Sequence, residues 1–225
     1  MDKIGVVICA GENGFPDLGA WKLRRMGMNA RAVRLYMNQY NVQPPSIFVR
    51  LLRGVRAKNP EIRQKLNLTV LFKEIDSAIA AVDLVWRLKD AGPVIPNAQE
   101  LALRAQNKEK LFFIGEGLGG ELLLRYCGQM PYGEQISGVI AFSPSLSDDV
   151  GVSKIFSNIP ICLIFAKGDS EDIARAQECA NALANLSVQV FPRSGLVQLP
   201  WEDIFFEESG AFMIDKLREW STEKA

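Results

Sequence analysis

Short runs rich in Val, Ile and Phe alternate along this chain with segments of helical periodicity. The runs predict six β-strands, at residues 4–9, 46–52, 111–114, 138–142, 160–166 and 187–191. Strands that alternate with helices form parallel sheets, because each crossover helix returns the chain to the same end of the sheet and covers one of its faces. The sequence therefore predicts a three-layer α/β fold with a mostly parallel sheet of about six strands.

Three apolar stripes at helical spacing predict helices between and after these strands. The first stripe extends from Leu23 to Tyr40, which places Arg24, Arg31 and Arg34 on the exposed face of one long helix. The stripes consist of Leu23, Met26, Ala30, Val33, Met37 and Tyr40, of Ile75, Ile79, Val82, Val85 and Trp86, and of Met213, Leu217 and Trp220.

The composition fits one intracellular globular domain. With 225 residues, of which 48% are apolar and 23% charged, residues 1–225 are predicted to form a single domain around one core. No uninterrupted apolar run is long enough to cross a bilayer, and the first residues lack the features of a signal peptide. The cysteines have no CxxC spacing, which predicts buried thiols in the cytoplasm; they are Cys9, Cys127, Cys162 and Cys179. The sequence predicts no cofactor and no metal site.

The charges are unevenly distributed although the chain is neutral overall. Residues 21–65 contain eleven Lys and Arg and the single acid Glu61, a net charge of +10, which leaves −10 on the remainder. A solvated surface is the simplest explanation of such a block, and an anionic partner or the acidic part of another copy of the chain also fits it. Nucleic acid is not favoured as a partner.

A strand, a tight glycine turn and a helix are predicted to follow one another at residues 111–124. The turn has the sequence Gly115-Glu116-Gly117-Leu118-Gly119-Gly120. This resembles the nucleophile elbow of the α/β-hydrolases, whose pattern is glycine, any residue, nucleophile, any residue, glycine. Gly117 occupies the nucleophile position. A phosphate or dinucleotide loop is the competing interpretation, but neither GxGxxG after the first strand nor a GK[ST] triplet is present.

Other segments follow in the order of that superfamily, and the chain most resembles its dienelactone hydrolases. The loop after the first strand carries Glu12 where that family has a glutamate, Ser170 falls at the position of its acid, and Leu196 at that of its histidine. The resemblance also implies that the chain begins at the third strand of the usual order. The groups predicted to line the remnant pocket are Glu12, Asn13, Glu116, Leu118, Ser143, Asp169 and Asp172.

Backbone N–H groups are predicted to make this pocket favourable for an anion, and acidic residues are predicted close to it. The N–H groups of Leu118 and of the Glu12–Asn13 turn are expected to converge where an oxyanion binds in the family, which favours a carboxylate or a phosphate. The acids near residue 170 precede a helix predicted at residues 173–186, and capping that helix is the simplest role for Asp169, Glu171 and Asp172.

The complete sequence contains no histidine. A serine hydroxyl or a thiol needs a base to remove its proton, and imidazole is the group whose pKa suits that task near neutral pH. The main hypothesis is therefore a catalytically inactive homologue that binds a protein partner or a small ligand in the remnant pocket. One alternative is a hydrolase or lyase that activates water with Glu12, Asp169 or Asp172. A further alternative is an adaptor for nucleic acid or an anionic surface through residues 21–65.

Overall fold

The computed structural model describes residues 4–9, 16–33, 68–90, 110–129, 136–144, 146, 159–166, 170–191 and 208–222. Within these residues the chain forms six strands and five helices. The strands are β1 (Ile4–Cys9), β2 (Asn29–Val33), β3 (Lys110–Glu116), β4 (Gly138–Phe142), β5 (Ile161–Ala166) and β6 (Leu186–Phe191). The helices are α1 (Pro16–Arg25), α2 (Leu68–Asp90), α3 (Leu118–Gln129), α4 (Ser170–Ala182) and α5 (Glu208–Thr222).

All six strands pair in parallel, in the order β2-β1-β3-β4-β5-β6. β1 and β3 are neighbours, and Ile8 of β1 pairs in register with Ile114 of β3. β1 and β4 are buried over their whole length, as expected of parallel strands that are covered on both faces. The predicted parallel sheet of about six strands is confirmed.

Helices cover both faces of the sheet. Successive side chains of a strand point to opposite faces, so Phe113 of β3 packs in one core cluster and Phe112 and Ile114 in the other. Helices α2, α3 and α4 contribute to the first cluster, and α1 and α5 to the second. Trp220 of α5 stacks on Phe112 with 6.4 Å between ring centroids. The predicted three-layer arrangement is therefore confirmed.

Two of the three predicted apolar stripes lie in helices and face the core. Their buried members are Ile75, Ile79 and Val82 in α2, and Met213, Leu217 and Trp220 in α5. Val85 and Trp86 also lie in α2. In the described part of the chain, no helix has an apolar stretch long enough to cross a membrane.

The long helix predicted from Leu23 to Tyr40 is wrong where the structure describes it. α1 ends at Arg25 and β2 follows after a short turn. Arg31, predicted on an exposed helix face, is half-buried in β2, and Met26, predicted to face the core, is 40% exposed. Arg34 lies outside the described residues. The spacing of three and four misled the prediction because a helix, a turn and a strand in succession can produce the same spacing by chance.

Gly27 is the residue that ends α1. It has a φ of 83°, a left-handed conformation that glycine adopts without steric cost. Its N–H donates to the carbonyl of Arg24 at 3.0 Å, and the N–H of Met28 donates to the carbonyl of Leu23 at 3.1 Å. These two bonds form the Schellman motif, in which glycine closes a helix and the apolar residues on either side of the turn are buried, as Leu23 and Met28 are.

Two other element boundaries differ from prediction. The strand predicted at residues 46–52 lies outside the described residues, and β2 corresponds to none of the predicted strands. The helix predicted at residues 173–186 begins earlier, at Ser170, and ends at Ala182, while Leu186 begins β6. Glu171 and Asp172 therefore lie within the first turn of α4 and not before it.

Candidate functional site

The strand order reverses between β1 and β3. β1 connects through α1 to β2 on one side, whereas β3 connects through α3 to β4 on the other. In open α/β sheets, ligands bind in the crevice at the carboxyl ends of the strands where the order reverses. Gly117 directly follows β3, so the glycine turn lies at this crevice.

Gly115 and Gly120 allow β3 and α3 to cross at backbone distance. A Cβ atom on Gly115 would lie 2.4 Å from the Cα of Gly120 and 2.6 Å from its nitrogen. A Cβ atom on Gly120 would meet its nearest neighbour, the Cβ of Ala141, at 3.2 Å. The strand and the helix thus pass too close for a side chain at position 115.

Gly117 forms the tip of the turn. It has a φ of 51°, in the left-handed region. Its N–H donates to the carbonyl of Phe142 at 2.8 Å, and its carbonyl accepts the N–H of Glu121 at 3.1 Å, so Gly117 is the N-cap of α3. The strand, the left-handed turn and the helix have the backbone form of a nucleophile elbow, but the tip carries no side chain that could attack a substrate.

Ser143 is a strained residue beside this turn. It follows β4 with a φ of 42°, and no other residue except glycine has a positive φ among those described. Its N–H donates to the carbonyl of Ile164 at 2.7 Å, which ties it to β5. A side chain in this conformation costs about 1–3 kcal/mol, and such residues cluster at binding and catalytic sites. No local pattern in the sequence indicates this strain, because serine is common in ordinary turns.

Glu116 and Leu118 flank Gly117 in the turn. Glu116 ends β3 and is half-buried, and Leu118 begins α3 and is 7% exposed. By strand alternation, Glu116 belongs to the face of β3 that carries Ile114, whereas α3 covers the other face. The N–H of Leu118 belongs to the first turn of α3, where backbone donors have no carbonyl partner within the helix.

The predicted acid position lies at the carboxyl end of β5. Ser170 begins α4 there, and the half-buried Asp172 lies in the first turn. An acid in the first turn complements the positive end of the helix dipole, and capping by Asp169 stays a prediction because that residue lies outside the described ranges. The structure thus brings Glu116, Gly117 and Ser143 to one edge of the sheet, while four predicted residues lie outside the described ranges, namely Glu12, Asn13, Asp169 and Leu196.

Two polar pairs involve side chains of α3, one within the helix and one between α3 and α2, and neither was predicted from the sequence. Glu121 is 3% exposed and accepts a hydrogen bond from Nη2 of Arg125 at 3.0 Å. Tyr126 is fully buried and donates its hydroxyl to Asp76 of α2 at 2.5 Å. The i, i+4 spacing of Glu121 and Arg125 could have indicated the first pair. No local pattern indicates the second, because its partners are 50 residues apart.

The buried thiols are poor candidates for a nucleophile. Burial raises the pKa of the Cys9 thiol to about 12, and it also raises the pKa of the Cys127 and Cys162 thiols. The thiolate is the reactive form of cysteine, so these side chains stay protonated and unreactive at neutral pH. Over the described ranges, no three His, Cys, Asp or Glu side chains lie close enough to bind a metal ion together.

Solved structures share this fold at low sequence identity. A dienelactone hydrolase from Anabaena variabilis has a TM-score of 0.53 and 14% identity, with 96% of this chain and 84% of that chain covered. A monoglyceride lipase from Saccharomyces cerevisiae has a TM-score of 0.57 and 10% identity over 98% and 88% of the two chains. Esterase B from Lactobacillus rhamnosis has a TM-score of 0.57 and 13% identity over 97% and 76%.

No protein-family model and no curated protein matches the sequence. Likeness to solved structures at 10–14% identity shows the fold and not the activity. The parallel sheet, the glycine turn after β3 and these structures together show that the chain has an α/β-hydrolase fold. The resemblance stated from the sequence is therefore confirmed at the level of the fold.

Proposed function

We propose that this chain is a non-catalytic α/β-hydrolase homologue that works by binding. The observation that carries the proposal is Gly117, because the turn on which enzymes of this fold carry their nucleophile has no side chain here. Acyl transfer in this fold begins with attack by an oxygen or sulfur atom at that position. The sequence contains no histidine, so an imidazole base is also absent.

A small anion at the crevice between β1 and β3 is the ligand that the backbone geometry fits best. α3 begins at Leu118, so its first N–H groups and the positive end of its dipole face the crevice. A carboxylate or a phosphate can accept hydrogen bonds from these groups without help from any side chain. The charge of Glu116 opposes an anion, but this residue belongs to the strand face away from α3. A protein partner would use the same donors by inserting an acidic side chain.

The proposal includes a cytoplasmic location, which the cysteines support. Cys127, Cys162 and Cys179 are free thiols. A reducing compartment preserves free thiols, whereas secretion exposes them to oxidation.

A hydrolase or lyase is the second candidate, and the solved structures favour it because those named above are hydrolases, lipases or esterases. In this mechanism Glu12, Asp169 or Asp172 would activate water, and no covalent intermediate would form. The test is the turnover of activated esters by the purified protein, compared with the rate in buffer. We expect no turnover; turnover that disappears in Glu12→Gln or Asp169→Asn would establish the enzyme and exclude the binding proposal.

Ligand binding is tested by thermal shift with small carboxylates and with inorganic phosphate, using two glycine variants. Gly117→Ala places a methyl group where the family's nucleophile points into the crevice. Gly27→Ala is the matched control, because Gly27 also has a positive φ but ends α1. Both variants should lose stability to a similar extent. Only Gly117→Ala should lose the rise in melting temperature that the best anion gives to the wild type.

If none of these anions raises the melting temperature of the wild type, or if the two variants respond to them equally, the crevice does not bind an anion at the start of α3.

A further inference from the structure

The last turn of α1 and the residue after it expose apolar and basic side chains together. Trp21 is 47% exposed and Met26 is 40% exposed. Lys22, Arg24 and Arg25 lie between them in sequence and carry positive charge. We call these five residues the Trp21 surface. Large apolar side chains next to cations at the surface are typical of interaction sites, whereas isolated exposed apolar residues need no explanation.

Helix geometry explains why these side chains face outward. Ala20 and Leu23 are fully buried, so this face of α1 packs on the sheet. Trp21, Arg24 and Arg25 are three and four residues apart and share the other face. Gly27 then ends the helix, which leaves Met26 exposed at its tip.

Two contacts order the long side chains of this surface. The Cζ atom of Arg25 lies 5.1 Å from the centroid of the Trp21 ring, within the range of a cation–π interaction. Nη1 of Arg24 donates to the carbonyl of Ala30 at 2.9 Å. Side chains that are already ordered lose less conformational entropy when a partner binds. The surface is therefore partly preorganised for binding.

The Trp21 surface and the glycine turn lie at opposite ends of the strands of the sheet. β2 begins at Asn29, soon after this surface, and Asn29 pairs in register with Gly5 near the start of β1. The surface therefore lies at the amino ends of the parallel strands, whereas Gly117 follows the carboxyl end of β3. The two sites are separate, so an experiment that refutes binding at the Trp21 surface leaves the proposed anion site at Gly117 untouched, and the reverse also holds.

We propose that the Trp21 surface docks an acidic segment of a partner protein. One apolar side chain of the partner packs on Trp21 and Met26, and its carboxylates face Lys22, Arg24 and Arg25. Charge complementarity supports an acidic partner, because the surface carries Lys22, Arg24 and Arg25 and no Asp or Glu occurs in residues 18–33. Trp, Met and Arg are also the residue types most enriched in protein–protein interfaces.

Two other kinds of anionic partner fit this surface less well. Single-stranded nucleic acid usually stacks on several aromatic side chains along a groove, whereas the Trp21 surface contains one aromatic side chain. A helix that lies on a membrane keeps a continuous apolar face for the lipid, whereas α1 buries Ala20 and Leu23 in the core. The protein partner is therefore the one to test.

The experiment is a selection from a library of random short peptides, because it defines the chemistry of the partner without knowing its name. Peptides that bind the full-length wild type are selected, and those that also bind Arg25→Glu are removed. We expect the selected peptides to carry net negative charge and at least one aromatic or large aliphatic residue. Their affinity should fall as salt is raised, since the contacts between charges lie at the surface.

Four variants then locate the binding. Trp21→Ala and Arg24→Glu should each weaken the selected peptides at least about tenfold, since aromatic and arginine residues dominate interface energies. Val70→Ala and Lys73→Glu, at exposed positions of α2, should leave the affinity unchanged. Circular dichroism melting of each variant separates a lost contact from a lost fold.

Any of four results overturns the proposal. The first is that no peptide is selected, and the second is that the selected peptides are neutral or basic. The third is that the α2 variants weaken binding as much as the α1 variants do. The fourth is that another partner binds the surface more tightly than the selected peptides do, and that Trp21→Ala abolishes this binding. The partners to test are single-stranded RNA, vesicles of phosphatidylserine and phosphatidylcholine, and a second copy of the chain.

Discussion

Alanine at position 115 tests the close crossing of β3 and α3. Its Cβ would lie 2.4 Å from the Cα of Gly120, 2.6 Å from the nitrogen of Gly120 and 2.9 Å from the carbonyl carbon of Gly119. All three neighbours are backbone atoms, so no side-chain rotation relieves the overlap. To restore carbon–carbon contact near 3.5 Å, α3 must move from β3 by about 1 Å.

The core opposes that movement. α3 is tied to α2 through Tyr126 and Asp76, and its buried Leu123 and Leu124 lie in the same core cluster as side chains of the strands. Overpacking of a core costs about 1–3 kcal/mol and occasionally more. We expect Gly115→Ala to reach the upper end of this range, about 3 kcal/mol, because the clash is between two backbones.

Urea unfolding followed by circular dichroism measures this cost, and Gly120→Ala is the matched control in the same turn. A Cβ on Gly120 meets the Cβ of Ala141 at 3.2 Å, and alanine is also the better helix former by about 1 kcal/mol. The free energy of unfolding of Gly120→Ala should therefore stay within about 1 kcal/mol of that of the wild type. If Gly115→Ala is no more destabilising than Gly120→Ala, β3 and α3 do not cross at the backbone distance described.

Three further changes test particular residues. Gly117→Ser should lower the free energy of unfolding in urea by about 1–2 kcal/mol, because serine must adopt a φ of 51°. This variant should also show no ester turnover. An unchanged free energy of unfolding would mean that the turn is not left-handed. Ser143→Gly relieves the strain at a φ of 42° and should gain up to about 1 kcal/mol, so a clear loss in the same assay would contradict the strain. Burial raises the pKa of Cys9 in the folded protein to about 12, whereas the thiol of the unfolded chain ionises near a pKa of about 8.5. The neutral buried thiol stabilises the fold below that lower pKa, and this stabilisation is lost as the pH rises. The free energy of unfolding of the wild type, relative to that of Cys9→Ala, should therefore fall by about 1.4 kcal/mol per pH unit between pH 9 and pH 11. A difference that does not change with pH would contradict the raised pKa of Cys9.

The strands of the sheet interior could be predicted from the sequence because their signal is local. β3, β4 and β5 are apolar runs flanked by turn residues, and a strand buried on both faces needs no other pattern. The glycine turn was also predictable, because close crossing of a strand and a helix requires Gly115 at a fixed spacing from Gly120. That residues 1–225 form one domain stays a prediction.

The errors occurred where a single residue or a distant contact decides the structure. Gly27 ends α1, yet the apolar spacing continues past it, so the sequence pattern concealed the change from helix to strand. Glu121 is buried, and its acid side chain gives no sign of burial in a sequence. The left-handed backbone of Ser143 depends on its bond to Ile164 in β5, which only the folded sheet brings close.

The absence of a nucleophile at the glycine turn is tested most directly by covalent labelling. The purified protein is incubated with a fluorophosphonate probe and with a cysteine-directed hydrolase probe, and its intact mass is measured beside that of an active serine esterase. Gly117 offers no atom to the probes, and no histidine is present to activate Ser143. We expect an unchanged mass for this chain and a full shift for the esterase. A stoichiometric adduct that maps to Ser143 or to any other residue of the crevice would contradict it.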